Sequence, residues 1–280
     1  MFVSPTLPSP VVADAVRRLR AAGCVFAEDE ADLLARAAAG PRDLSRLVDR
    51  RCDGIPLEHL LGWAEFTGLR IAVGPGVFVP RPRSMFLVER AAAHAPRSSP
   101  SSPPPVVVDL CCGAGGIGAA VASLLPGAEL HAADSDPVAV DYARRNISPS
   151  RGRAHTGDLY SALPRGLRGR VDLLVVNAPY VPSAEIALLP PEARLHEPLP
   201  TLDGGPDGVD VQRRVAAGAP AWLAPGGHLL IETSGRQAET TAAAVSGAGL
   251  EAVVESCEEW DCTVVVGTAP GGPQVTTSDG

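Results

Sequence analysis

Apolar residues recur at two different periods along the chain, and the change of period divides it. Through residues 10–54 the spacing is helical: Val12, Val16 and Leu19, then Ala31, Leu34 and Ala35, then Leu44, Leu47 and Val48. Gly23, the Gly40-Pro41 pair and Gly54 punctuate these stretches, which predicts a small helical module. Residues 66–79 read as a short hairpin with Gly74-Pro75-Gly76 as its turn. Residues 84–95 return to helical spacing through Phe86, Leu87 and Ala91. From residue 106 onward, short apolar runs alternate with helical segments. Strands are expected at 106–110, 129–134, 153–156, 171–177, 227–232, 251–256 and 262–267. Helices are expected at 117–125, 137–146, 209–223 and 237–248. This rhythm predicts an α/β fold: a doubly wound, mostly parallel seven-stranded sheet covered on both faces, preceded by a small N-terminal helical domain.

Composition refines the boundaries. Residues 95–105 hold five Pro and four Ser, the sharpest compositional break in the chain and the mark of a surface loop or semi-rigid linker. The expected division is therefore a helical domain with its hairpin connection at 1–75, a connecting segment and linker at 76–105, the sheet domain at 106–267 and a disordered tail at 268–280. Among 280 residues, 45% are apolar, enough for a real core. All 24 basic side chains are Arg, so neither a Schiff-base Lys nor a P-loop Lys exists. The net charge of −8 speaks against a stable complex with nucleic acid or an anionic membrane. Six Cys without a CxxC pair read as reduced, mostly buried thiols of a cytoplasmic protein. Neither a signal peptide nor a membrane-spanning run is evident, the six His show no metal-ligand spacing, and the sequence gives no oligomeric state.

Four motifs carry chemistry. In the first, strand 106–110 runs into Cys111-Cys112-Gly113-Ala114-Gly115-Gly116-Ile117-Gly118, a glycine turn that opens a helix. Such a turn lets a ligand approach the backbone closely, and suits a dinucleotide or S-adenosylmethionine (SAM). Asp109, just before the glycines, would repel a pyrophosphate yet suit the ammonium and sulfonium of SAM. In the second, Asp134 ends the next strand, where a carboxylate accepts from both ribose hydroxyls; the neighbouring Asp136 reads instead as a helix N-cap. The third is Gly157-Asp158-Leu159, where the acid could take an adenine amino group and Leu159 pack on the ring. The fourth is Asn177-Ala178-Pro179-Tyr180, directly after the apolar run 171–176. The Asn177 side-chain oxygen and the Ala178 carbonyl, turned out of the ladder by Pro179, offer two acceptors, and Tyr180 a stacking face. The three elements converge on a planar NH2 group.

These residues resemble the HemK/PrmC family of protein N(5)-glutamine methyltransferases, whose signature is Asn-Pro-Pro-Tyr. The resemblance extends through Gly54-Ile55-Pro56-Leu57-Glu58-His59-Leu60-Leu61-Gly62, Glu65-Phe66, Gly68-Leu69 and Pro75-Gly76-Val77-Phe78-Val79-Pro80-Arg81-Pro82. It continues through Leu189-Pro190-Pro191-Glu192, His196-Glu197-Pro198, Leu202-Asp203-Gly204-Gly205, Asp207-Gly208 and Leu223-Ala224-Pro225-Gly226-Gly227. It implies a class I SAM-dependent methyltransferase fold, SAM as methyl donor, and transfer to a glutamine side-chain amide in a peptide-chain release factor, gripped partly by the helical domain. Carried onto this sequence, it makes Asn177 and Tyr180 catalytic and assigns Asp109, Cys111, Gly113, Gly115, Asp134, Asp158, Leu159 and Asn177 to SAM. Substrate falls to Asn177, Ala178, Pro179, Tyr180, Glu197 and Arg81, and no metal is required. The chain departs from the family at Ala178, at Arg83 (an acid in the family), at Cys111 (a glycine) and at Glu259-Trp260-Asp261-Cys262, which marks a divergent paralogue. The same acceptor chemistry would serve a methyltransferase of small molecules or of nucleic-acid adenine, and a non-catalytic SAM-binding protein would share the donor motifs.

Overall fold

The computed structural model describes residues 9–96, 103–147 and 152–271. Helices α1 (Ser9–Ala21), α2 (Ala27–Ala37), α3 (Pro41–Cys52) and the short α4 (Leu57–Leu61) come first. Their apolar stripes meet in a core of their own, centred on Leu19, Leu34, Leu44 and Val48. Strands β1 (Trp63–Phe66) and β2 (Leu69–Ala72) follow as an antiparallel hairpin.

The hairpin differs from the sequence expectation in two ways. Its turn is Thr67-Gly68, both left-handed at φ 50° and 74°, rather than Gly74-Pro75-Gly76. Two consecutive positive φ values match the right-handed twist of the paired strands, and a Thr in that position gives no sequence signal. The apolar side chains of the hairpin also join the core of the sheet domain, not that of the helical module. Ala64, Phe66 and Ile71, with Val73, Val77 and Val79 after them, join the cluster formed by α5 (Met85–Ala93), β3 (Val106–Leu110) and α6 (Gly116–Leu124).

The remaining elements are β4 (Glu129–Asp134), α7 (Pro137–Asn146), β5 (Gly152–Thr156), β6 (Val171–Val176), α8 (Pro191–His196), α9 (Asp210–Gly218), β7 (Leu223–Thr233), α10 (Ala238–Gly247), β8 (Glu251–Cys257) and β9 (Cys262–Thr268). The seven-stranded sheet has the order β5-β4-β3-β6-β7-β9-β8, parallel except for β9, which runs antiparallel to both neighbours. Helices α5, α6 and α7 cover one face and α9 and α10 the other, each over its own apolar cluster. Asp136 caps α7 by accepting from the Val138 N–H at 2.8 Å, with Pro137 at the first helical position.

Smaller differences have local causes. Helix α9 stops at Gly218 because Pro220 follows, and α4 and α8 are short helices without a readable period. Of the six free cysteines, Cys112 and Cys262 are buried and the other four half-buried, fewer than expected. Strand β9 runs through Thr268, and Ala269 is buried and donates to the Gly227 carbonyl at 2.9 Å, so the expected tail does not begin at 268. The expected linker at residues 97–102 and the tail at 272–280 lie outside the described residues. Among the described residues, no helix is long and apolar enough to cross a membrane.

Candidate active site

A cavity of about 800 Å³ opens at the carboxyl ends of β3, β4 and β6, where open α/β sheets bind ligands. At one end lies the β3–α6 turn. Cys111, Gly113 and Gly115 all have left-handed backbone, at φ 57°, 52° and 76°. Cys111 thus holds a backbone conformation that favours glycine, at the steric cost an L side chain meets there. A side chain at Gly113 would meet nothing, so its surface is open to a ligand. The turn is tied to β4: the Asp134 carboxylate accepts from the Gly113 N–H at 2.8 Å and from the Asp136 N–H at 2.9 Å. Burial raises the Asp134 pKa, and these two hydrogen bonds oppose the rise.

Two of the residues expected to touch the donor do not line the cavity. Asp109 shares the face of β3 that α6 covers, as the two-residue period of a strand requires once Leu110 faces the other cluster. It is fully buried and accepts from the Gly118 N–H at 2.8 Å, capping α6 from beneath the turn. Gly118 leaves room for it, since a Cβ there would lie 2.9 Å from the carboxylate. Burial pushes the Asp109 pKa up to about 7. Gly115 faces α7, where a Cβ would come within 3.1 Å of the Ala143 methyl, so this glycine serves helix packing.

The other expected donor-side residues, Cys111, Gly113, Asp134, Asp158 and Leu159, all line the cavity. Leu159 is left-handed at φ 46°, and Asp158 is ion-paired with Arg214 at the rim. An unforeseen clamp braces this end. Asn146 of α7 bonds the Ala72 N–H and carbonyl at 2.7 and 2.9 Å and the Ala114 carbonyl at 2.8 Å, joining the hairpin to the turn.

The opposite end is built around Asn177, Ala178, Pro179 and Tyr180, which leave β6 and line the cavity together with Arg81 and Glu197. The Tyr180 carbonyl accepts from Gln237 at 2.8 Å, and Gln237 also holds the Asp207 carbonyl at 2.9 Å. Gly208 lets these chains pass, since a Cβ there would sit 2.4 Å from the Tyr180 oxygen. Val181 bridges Asp203, so residues 203–208 form a backbone brace behind the Asn-Ala-Pro-Tyr segment. Glu197 is buried and ion-paired with Arg81. Burial raises its pKa, and Arg81 opposes the rise. Three residues here were not read as functional from the sequence. Asn177 donates from Nδ2 to the buried Ser84 hydroxyl at 3.3 Å. Buried Glu232, at the end of β7, lies 3.5 Å from both the Tyr180 hydroxyl and Arg83 Nε, and burial raises its pKa. Arg83 also lies 5.7 Å from the centre of the Tyr180 ring. The two ends are linked to the helical module by Arg51 of α3, which pairs with Glu30 of α2 and with Glu192 of α8, a cavity-wall residue.

The comparisons with known proteins agree with this arrangement. The methyltransferase small domain model matches residues 93–189. The "Release factor glutamine methyltransferase" of Mycolicibacterium smegmatis is 39% identical over 248 residues, covering 80% of this chain and 85% of that protein. The chain belongs to this family of methyltransferases. The Streptomyces coelicolor protein of the same name is 40% identical over 191 residues, covering 68% of this chain and 67% of its own. For the fold alone, a methyltransferase from Pyrococcus furiosus superposes with a TM-score of 0.51 at 17% identity, covering 72% of this chain and 90% of that one.

Members of this family are SAM-dependent, and the donor end has the features that SAM demands. The surface at Gly113 is open, the carboxylate of Asp134 retains lone pairs for a ribose diol, and Leu159 supplies an apolar wall.

Proposed function

We propose that this chain transfers a methyl group from SAM to the side-chain amide nitrogen of a glutamine in a peptide-chain release factor. The observation that carries this reading is the position of Asn177 and Ala178 on one cavity, opposite the Gly113 and Asp134 end. The names of the relatives support the substrate. When bound, SAM would supply an electrophilic methyl carbon on a sulfonium: the N–C bond forms as the C–S bond breaks to leave a neutral thioether, and one N–H proton of the amide is then lost to solvent.

A primary amide is a poor nucleophile because its nitrogen lone pair is delocalised into the carbonyl. The contribution of this chain is to hold that nitrogen in line. The Asn177 Oδ1 and the Ala178 carbonyl accept the two N–H bonds, which leaves the lone pair aimed across the cavity toward the Asp134 end. Orientation of this kind supplies up to about 7–11 kcal/mol of a barrier in ideal cases. The same two acceptors stabilise the positive charge that develops on nitrogen. Tyr180 packs against the planar amide, while Arg81 and Glu197 shape the entrance. Cytoplasmic location follows from a release factor as substrate.

The test is methyl transfer from labelled SAM to a purified release factor, with the modified residue located by mass spectrometry. The reading predicts a single methyl on one glutamine side chain. Label on nucleic acid or on a small molecule, with none on glutamine, would overturn it.

A further inference from the structure

An asparagine side chain can present either its oxygen or its NH2 to a ligand. Only the oxygen can receive the N–H of a substrate amide, so something must decide which end of Asn177 faces the cavity. We propose that Glu232, acting through the Ser84 hydroxyl, is the positioning group that makes this choice. The proposal rests on the reading of Asn177 as an acceptor for a glutamine amide.

Ser84 ends the turn before α5, a residue far in sequence from β6 and β7, and it is 1% exposed. Its hydroxyl has one hydrogen and contacts two groups, Asn177 and the Glu232 carboxylate. Glu232 is likewise 1% exposed. Its other donors are distant, Tyr180 Oη and Arg83 Nε at 3.5 Å each, and Oε2 is buried without a hydrogen-bond partner. Ionised opposite Arg83, whose charge opposes the effect of burial, a carboxylate so short of donors takes the Ser84 hydrogen in preference to a neutral amide oxygen, because charge-assisted hydrogen bonds are the stronger ones. With its hydrogen committed, Ser84 can only accept. Asn177 must then turn Nδ2 toward it, as the 3.3 Å contact shows, and Oδ1 is left for the substrate. In the reversed orientation two acceptors would face each other, and the substrate N–H would meet an NH2. Arg83 and Tyr180 hold Glu232 from the other side, so the relay spans the segment before α5, β6 and β7.

Steady-state kinetics on Ser84→Ala, Ser84→Thr, Glu232→Gln and the Ser84→Ala/Glu232→Gln pair, with SAM affinity measured by calorimetry, test this. Ser84→Ala should lower kcat about tenfold to a hundredfold at unchanged SAM affinity. Ser84→Thr, which restores the hydroxyl, should recover most of the loss. Glu232→Gln should also lower kcat, because a glutamine NH2 can donate to Ser84 and free the hydroxyl hydrogen for Asn177 Oδ1. The double variant should be no worse than Ser84→Ala alone. Wild-type kcat in Ser84→Ala, equal loss in Ser84→Thr, additive losses in the double variant, or a fall in SAM affinity and Tm parallel to kcat would each overturn the relay. A wild-type protein that methylates no glutamine would instead overturn the reading of the site itself, and the relay with it.

Discussion

At the β3–β5 end of the cavity the surface follows the ends of three neighbouring strands: a turn with left-handed Cys111, Gly113 and Gly115, its Gly113 N–H tied to Asp134, with Asp158 and Leu159 beside it. At the β6–β7 end it is made of side chains from segments far apart in sequence: Asn177 with Ser84, Tyr180 with Glu232, and Arg81 with Glu197. The first arrangement suits a ligand that is always the same, because the backbone groups of the turn are hard to vary. The second suits orientation of a reacting group, because each side chain is held by another. Ala178 and Arg83, two positions at which the sequence differs from the family pattern it resembles, lie at this end.

The comparison predicts that the two ends fail separately. The largest effect is expected from Asn177→Ala, which should cut methyl transfer by about a thousandfold, as loss of a single oriented hydrogen-bonding group at a reaction centre does. SAM affinity should stay within a few-fold. Asp134→Ala should do the reverse, weakening SAM binding about tenfold to a hundredfold, the worth of a hydrogen bond to a charged group. At saturating SAM much of the transfer rate should return, and calorimetry beside initial rates separates the two effects.

Beneath the donor turn, Asp109 gives a prediction in stability alone. Its folded pKa, pushed up to about 7 by burial, lies above the unfolded value of 3.8. The folded state therefore holds a proton that the unfolded state has lost. The stability this group contributes is full below pH 3.8 and is lost as pH rises through about 7. Asp109→Asn removes that loss. Relative to wild type, the variant should gain on the order of 4 kcal/mol between acid and neutral pH, read from denaturant unfolding across that range. A constant difference at all pH values would contradict it. The smallest effect is expected from Cys111→Gly. Relief of the left-handed strain should raise stability by less than about 1 kcal/mol, the greater freedom of the unfolded glycine offsetting part of the gain. SAM affinity should not fall.

The same contrast explains how much could be read from the sequence. The strands β3, β4 and β6 and the α7 cap were legible because period, length and N-cap chemistry are local. The lining positions Cys111, Gly113, Asp134, Asp158, Leu159 and Asn177 were legible because each sits where a strand ends. Asp109 and Gly115 were assigned to the ligand because the glycine motif does not say which of its members face outward. The register of β3 turned Asp109 under α6, and the close approach of α7 claimed Gly115. Glu232 and Asn146 were not read as site residues, and Ser84 entered only beside Arg83 in the segment that departs from the family pattern, since their partners lie 52, 74 and 93 residues away. Glu232 was visible only as a charged residue ending the apolar run of β7, and a buried charge at the carboxyl end of a strand is the pattern that could have singled it out.

The proposed function divides the cavity in two, with the donor at the Gly113 and Asp134 end and the acceptor amide at Asn177. The most direct measurement compares Asn177→Ala with wild type in two assays on the same samples: SAM binding by calorimetry and methylation of the release-factor glutamine by mass spectrometry. The expected result is near-normal SAM binding with methylated glutamine accumulating about a thousandfold more slowly than in wild type. Loss of SAM binding in step with transfer, or methylation at the wild-type rate, would contradict it.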